Sequence, residues 1–195
     1  MKNKKTALLL VLGAILLVAA TMFGTVAYLT STDTVENTFT VGKVAITLDE
    51  SPVDAAGKAV AGDRVKANGY KLVPGREYDK DPTIHVDASS EAAYLFVAIT
   101  DEIAAIQDSK TVAEQLEENG WKALDATPGV YYYDVSTDVA GEDIPVFRTF
   151  KVKATATNEQ LAPLNGKKII VKAYAVQAEG FTDAKDAWTK AGFTA

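Results

Sequence analysis

The stretch TALLLVLGAILLVAATMFGTVAYLTSTDTVENTFTVGKVAITL, residues 6–48, joins an uncharged apolar run, a short polar segment and the first strand pattern of the chain. The apolar run is typical of an export signal. The strand pattern is typical of an antiparallel sheet with one buried face. The stretch therefore predicts an exported protein whose folded part begins near residue 39.

The first 27 residues have the three parts of a secretory signal peptide. Three lysines in the first five residues give a positive start, residues 7–20 form an apolar run, and a small-residue motif of the A-x-A type ends at Ala27. We predict cleavage between Ala27 and Tyr28. The alternative is a membrane anchor, because residues 7–29 carry no charge and would extend about 35 Å as a helix.

The first strand pattern covers residues 39–48. Its apolar residues occupy odd positions before Gly42 and even positions after it, and a period of two changes parity only when one residue is inserted. Gly42 is therefore the predicted site of a β-bulge. The pattern contains five apolar side chains, and their full burial would stabilise the protein by about 8–15 kcal/mol. A sheet or a neighbouring molecule must therefore cover them. They are Phe39, Val41, Val44, Ile46 and Leu48.

The same junction resembles that of a known family. Residues 27–34 (AYLTSTDT) and 37–46 (NTFTVGKVAI) are similar to the AYFSDxE…NTFxAGTLDL junction of the TasA/camelysin family of Gram-positive exported proteins. Residues 173–181 (AYAVQAEGF), followed by an Ala-Trp pair, resemble the ending of clostridial members. The resemblance implies removal of the signal peptide by a dedicated signal peptidase and a role as a structural subunit of surface or biofilm matrix fibres.

The polar segment after the cleavage site is the predicted assembly element. Its Thr and Val content suits a strand, and in fibres of the family the N-terminal strand of one subunit completes the sheet of the next. The resemblance therefore implies another copy of the chain as partner, further matrix or anchor proteins as additional partners, and a place in the extracellular matrix or at the cell surface. The predicted assembly strand comprises Thr30, Thr32, Thr34, Val35, Phe39, Val41, Val44 and Ile46.

Composition limits the function classes. The chain has 20 basic and 26 acidic residues, and removal of residues 1–27 takes away three lysines, which leaves a formal net charge of 17 − 26 = −9. An acidic surface without a basic cluster disfavours nucleic acid as a partner. The sequence contains no cysteine, which excludes disulfides, thiolate metal sites and a cysteine nucleophile.

Beyond residue 48 the sequence predicts an all-β fold with two helical additions. Helical periodicity predicts an insertion at about 102–119, with Ser109 as an internal cap and Asn119-Gly120 as the stop, and a short C-terminal helix at 181–191. The strand spacing indicates a β-sandwich, and the resemblance implies a jelly-roll-like one. Strands are expected near 70–73, 83–86, 94–100, 121–124, 130–135, 146–153 and 169–178. Residues 94–100 are apolar on both parities, which predicts a central strand covered on both faces. The predicted organisation is a signal peptide at 1–27, an N-terminal extension at 28–38 and one sandwich domain at 39–195.

The camelysin resemblance also raises metalloprotease chemistry. The chain has a single histidine, His85, and no HExxH motif, whereas catalytic zinc requires several ligands at defined spacing. His85 alternates with inward residues and is predicted to be a solvated strand histidine. We therefore expect no catalysis, metal or cofactor, with a secreted metalloprotease as the alternative.

Two other residue groups are candidate binding sites. The paired carboxylates lack the spacing of a calcium loop and are predicted to lie on solvated faces or turns. The aromatic residues are predicted to pack in the core, with a carbohydrate-binding or adhesive module as the alternative. The carboxylate pairs are Asp79/Asp81, Asp101/Glu102, Glu117/Glu118 and Glu142/Asp143, and the aromatic group is Trp121, Tyr131, Tyr132, Tyr133, Phe181 and Trp188.

Overall fold

The computed structural model describes residues 2–29, 42–108, 110–133 and 139–195. The chain divides into two compact units, residues 1–40 and 41–195. In the first unit the described residues form one helix, α1 (Lys2–Leu29), whose apolar side chains between residues 8 and 18 are exposed. No helix within the described ranges has both the length and the hydropathy needed to cross a membrane. The predicted cleavage residues Ala27 and Tyr28 lie within the bounds of α1.

The second unit is built mainly from antiparallel strands, as the sequence predicts. Nine strands among the described residues are β1 (Ile46–Asp49), β2 (Glu77–Asp79), β3 (Thr83–Val86), β4 (Ala93–Asp101), β5 (Trp121–Ala123), β6 (Val130–Tyr133), β7 (Asp143–Pro145), β8 (Thr149–Lys151) and β9 (Ile169–Gln177). They form a three-stranded sheet in the order β1-β3-β7, a pair β2-β8, and a four-stranded sheet in the order β5-β6-β4-β9. The helices of this unit are α2 (Val112–Glu118), α3 (Asn158–Leu161) and α4 (Ala184–Lys190).

The three-stranded and four-stranded sheets share one hydrophobic core. Ile84 of β3 and Leu95 and Val97 of β4 are completely buried in it. Along β3, buried Ile84 and Val86 alternate with half-buried Thr83 and His85. The alternation predicted for this strand is therefore confirmed.

The opposite face of the four-stranded sheet is covered as well. Phe96 of β4 is fully buried against Trp188 of α4, with ring centroids 5.2 Å apart. The odd-numbered side chains of β4, Leu95 and Val97, enter the shared core, and the even-numbered side chains, such as Phe96, enter the core beneath α4. This is why β4 is apolar at both odd and even positions. The predictions of a doubly covered central strand and of a C-terminal helix are both confirmed.

One predicted strand is wrong and another is too long. Residues 70–73 form no strand. Instead, the hydroxyl of Tyr78 accepts a hydrogen bond from Val73 N at 2.7 Å and donates one to Lys71 O at 2.6 Å. Of the predicted strand at 146–153, only residues 149–151 form a strand, β8, which belongs to a different sheet from the preceding β7. Between β7 and β8, Phe147 is completely buried in the shared core and Arg148 is exposed.

The helical insertion is shorter than predicted. A 3₁₀ turn covers Ala104–Ile106, and α2 starts after Thr111 with a capping box. Thr111 Oγ1 accepts a hydrogen bond from Glu114 N at 3.3 Å, and the Glu114 carboxylate accepts one from Thr111 N at 2.7 Å. The predicted cap Ser109 lies outside the described residues, whereas the predicted stop is confirmed by Gly120, whose φ is +89°.

The predicted assembly strand is described only in part. Its residues Thr30, Thr32, Thr34, Val35, Phe39 and Val41 lie outside the described residues. Ile46 begins β1 and packs, half-buried, against the shared core, while Val44 precedes the strand. Before β1 the backbone contacts a turn instead of a strand: Lys43 O accepts from Glu91 N at 3.0 Å. A bulge at Gly42 would also involve Val41. Because Val41 lies outside the described residues, the bulge stays a prediction.

Candidate assembly groove

A groove of about 1310 Å³ lies beside the outer strands of two sheets. β1 is an outer strand of the three-stranded sheet and β9 is an outer strand of the four-stranded sheet. Leu48 of β1 and residues 169–171 of β9 line the groove, and α3 and the loop 66–72 form its other walls. The sequence alone gave no indication of this site, because its walls are far apart along the chain.

The edge formed by β9 is long and partly apolar. All nine residues of β9 pair with β4, from Ile169 opposite Asp101 to Gln177 opposite Ala93. No described strand pairs with its other side, and the side chain of Ile170 is 39% exposed. At about 3.4 Å per residue, this edge is roughly 30 Å long. An open edge presents backbone donors and acceptors that a further strand can pair with.

The residues that line the groove include apolar side chains and carry a net positive charge. Five lysines and two acidic residues contribute to it, a balance of 5 − 2 = +3 on a chain whose formal net charge is −6. The apolar side chains include Leu72, Phe150 and Leu161. The groove therefore favours an extended ligand that combines apolar and acidic residues. The lysines are Lys66, Lys71, Lys80, Lys167 and Lys168, and the acids are Asp49 and Glu50.

A charged network crosses the outer face of the three-stranded sheet. His85 Nε2 lies 2.8 Å from Asp49 Oδ1 on β1, and His85 Nδ1 lies 2.5 Å from Asp143 Oδ1 on β7. Partial burial lowers the pKa of His85, but the hydrogen bonds to the two carboxylates raise it more, so that the pKa lies above its ordinary value. His85 faces outward as predicted, yet its ring is held by two carboxylates instead of being simply solvated.

Arg64 extends this network towards the residues that precede β3. Its Nε pairs with Asp49, and its Nη1 lies 3.1 Å from Asp81 Oδ2. Asp81 also accepts hydrogen bonds from Ser51 N at 2.7 Å and from Ser51 Oγ at 2.8 Å. Burial raises the pKa of Asp81, but the hydrogen bonds from Ser51 and Arg64 lower it by more than burial raises it. The pKa of Asp81 therefore lies below its ordinary value. These contacts fix the loop 50–65 beside the edge strand β1.

A second polar cluster is buried at the groove wall. Glu50 Oε2 lies 2.6 Å from Lys80 Nζ, and Glu50 Oε1 accepts a hydrogen bond from Asn68 Nδ2 at 3.1 Å. The side chain of Glu50 is 6% exposed and that of Lys80 is 11% exposed. Burial, followed by the charge of Glu50, raises the pKa of the nearby Tyr70 hydroxyl. One buried carboxylate therefore holds a lysine and an asparagine together.

The described residues contain no group of three or more His, Cys, Asp or Glu side chains arranged to hold a metal ion. The predicted carboxylate pairs act as separate structural groups. Asp101 accepts from Ile103 N at 3.0 Å, whereas Glu102 pairs with Lys167 at 2.8 Å. Asp79 accepts a hydrogen bond from Lys58 Nζ at 2.9 Å, whereas Asp81 contacts Ser51 and Arg64.

The aromatic residues pack as predicted. Trp121 is 1% exposed and donates a hydrogen bond from Nε1 to Pro145 O at 2.9 Å. Tyr131 and Tyr133 pack against the core shared by the two sheets, and Tyr132 packs against the core beneath α4. Phe181 and Trp188 belong to this second core.

Comparison with protein-family models, with curated proteins and with solved structures finds no match for this chain. The sequence interpretation missed Arg64, Asn68 and Lys80, which it placed in or beside a polar loop. Their partners lie 15–30 residues away along the chain, so no local spacing marks them.

Proposed function

We propose that this protein is an exported structural subunit of cell-surface or biofilm matrix fibres, with a jelly-roll-like sandwich that assembles by N-terminal strand donation. The observation that carries the proposal is the groove beside the outer strands β1 and β9. A sheet edge that accepts a strand from the next copy makes a head-to-tail contact that does not close, and such a contact propagates into a fibre.

The N-terminal extension has the chemistry that this groove favours. Residues 28–38 contain Asp33 and Glu36 and no basic residue, so the segment is acidic, whereas the residues that line the groove carry a net positive charge. Its eleven residues are long enough to pair with the nine residues of β9. Export with removal of residues 1–27 by a dedicated signal peptidase would free this segment. The metalloprotease and carbohydrate-binding alternatives gain no supporting contact from the described residues.

A pair of matched substitutions tests the acceptor edge. We expect Ile170→Glu to abolish fibres, because it places a negative charge on the β9 edge against an acidic incoming strand. Val60→Glu is the control, since Val60 is similarly exposed, at 45% against 39%, and does not line the groove. Both variants should remain folded, and sedimentation velocity should find only the first as a monomer. Fibres formed equally by both variants would contradict the proposed acceptor edge.

A further inference from the structure

The buried cluster of Glu50, Lys80 and Asn68 has contacts that an ion pair does not require. A Lys–Glu pair is satisfied by its own two groups, yet the second oxygen of the same carboxylate is bonded to the amide nitrogen of Asn68. Asn68 Oδ1 also accepts a hydrogen bond from Val53 N at 3.1 Å. The amide nitrogen of Asn68 therefore donates to the Glu50 carboxylate and, at 2.8 Å, to Ser51 O, while its oxygen accepts from a backbone donor.

We propose that Lys80 and Asn68 form an intramolecular isopeptide bond, with Glu50 as the group that transfers the protons. The structure shows the side chains as they stand before this reaction. The proposal is independent of fibre assembly, because it concerns three side chains within one subunit.

The reaction balances without an oxidant or a cofactor. The Lys80 ammonium transfers a proton to Glu50 Oε2, and the free Nζ attacks Cγ of Asn68 to form a new C–N bond. The Cγ–Nδ2 bond then breaks. Both protons lost by Nζ pass through Glu50 to Nδ2, which leaves as ammonium, and the carboxylate of Glu50 is regenerated.

The surroundings supply what each step needs. Glu50 contacts both the nitrogen that loses protons and the nitrogen that gains them, which is the placement required of a general acid and base. The hydrogen bond from Val53 N stabilises the negative charge that develops on Asn68 Oδ1 during attack. The side chains of Glu50 and Lys80 are 6% and 11% exposed, which limits the access of water, and the Glu50 carboxylate contacts both reacting side chains.

The isopeptide bond would be a covalent cross-link in a chain that cannot form a disulfide. It would join the loop 66–72 to the residue that follows β2, and both ends line the groove. Because the chain has no cysteine, an amide cross-link is the kind of covalent constraint that its residues allow. The cross-link would fix the loop wall of the groove against the sheet.

Mass spectrometry of the exported, folded protein tests the proposal directly. Once the N-terminus is read from the same sample, the intact mass should be lower than the sequence mass by one molecule of ammonia. After trypsin digestion, the peptide at residues 67–71 should be joined to the peptide that contains Lys80, with no cleavage after Lys80. A folded wild-type protein with the unmodified sequence mass would overturn the proposal.

The controls separate the cross-link from a succinimide, since the Asn68-Gly69 pair can also lose ammonia within its own backbone. Lys80→Arg and Glu50→Gln should restore the full mass, whereas a succinimide would persist in both. Lys66→Arg is the matched lysine control, because Lys66 lines the same groove but donates to Leu48 O, and it should keep the joined peptides. Ammonia loss that survives Lys80→Arg, or that never joins two peptides, would also overturn the proposal.

Discussion

Replacing His85 by glutamine should destabilise the protein at mildly acidic pH and have little effect at alkaline pH. His85 lies on the middle strand β3 and connects Asp49 of β1 to Asp143 of β7. Glutamine keeps a polar side chain of similar length but carries no charge at any pH. The substitution therefore removes two charged contacts across the three-stranded sheet and little buried apolar surface.

The magnitude follows from the exposure of the partners. The side chains of His85 and Asp49 are 28% and 18% exposed, whereas that of Asp143 is 71% exposed. Exposed ion pairs contribute about 0.2–1 kcal/mol each, and the less exposed Asp49 pair belongs near the upper end. We expect a total of about 1 kcal/mol for the two pairs, which corresponds to about 2–4 °C in the midpoint of thermal unfolding.

The sign of the pH dependence follows from the raised pKa of His85. A group whose pKa is higher in the folded state stabilises the fold fully below its unfolded pKa, which is about 6.5 for histidine. That stabilisation is lost as the pH rises through the folded-state pKa. At pH 5.5, below the unfolded pKa, the histidine is charged, and it loses this charge as the pH rises towards 9.

Urea denaturation at pH 5.5 and at pH 9 measures the effect. The free energy of unfolding of His85→Gln should fall below that of the wild type at pH 5.5 and approach it at pH 9. Thr83→Gln is the control, because Thr83 occupies the same outer face of β3 and carries no charge. Its effect should be the same at both pH values. If His85→Gln lowers the free energy of unfolding equally at both pH values, or more at pH 9 than at pH 5.5, the reasoning is refuted.

Three further predictions concern the folded unit, and urea denaturation measures each. Leu95→Ala should cost about 2–5 kcal/mol, because Leu95 is fully buried between the two sheets; a loss below about 1 kcal/mol would contradict this packing. Gly129→Ala should cost about 1 kcal/mol or more, because Gly129 has φ +78° and a Cβ there would lie 2.9 Å from Ile99 O; an unchanged midpoint would argue against it. Thr111→Ala should cost about 0.5–2 kcal/mol through loss of the α2 cap, and the conservative Thr111→Ser should restore most of it.

Patterns carried by neighbouring residues were predictable from the sequence. The alternation around Ile84 and the double-sided apolar run of β4 follow from local periodicity, which burial of each face imposes directly. The start of α2 also has a local signal, the T-x-x-E pattern at 111–114, which is a capping-box motif and locates the helix better than its apolar spacing.

Features that depend on pairing between distant segments were not predictable. The chain changes sheets at residues 146–148, where Val146 and Phe147 are fully buried although neither belongs to a strand. The groove requires the edges of β1 and β9 to lie near each other, and they are separated by more than a hundred residues. The contact of Glu50 with Lys80 likewise depends on the topology of the loop 50–65.

Strand donation is tested most directly by electron microscopy of two purified chains, one beginning at Tyr28 and one beginning at Thr38. The deleted residues lie outside the compact unit 41–195, so both chains should unfold cooperatively with similar midpoints. We predict fibres from the chain that begins at Tyr28 and only monomers from the chain that begins at Thr38. Fibres that persist without residues 28–37 would contradict strand donation by this segment.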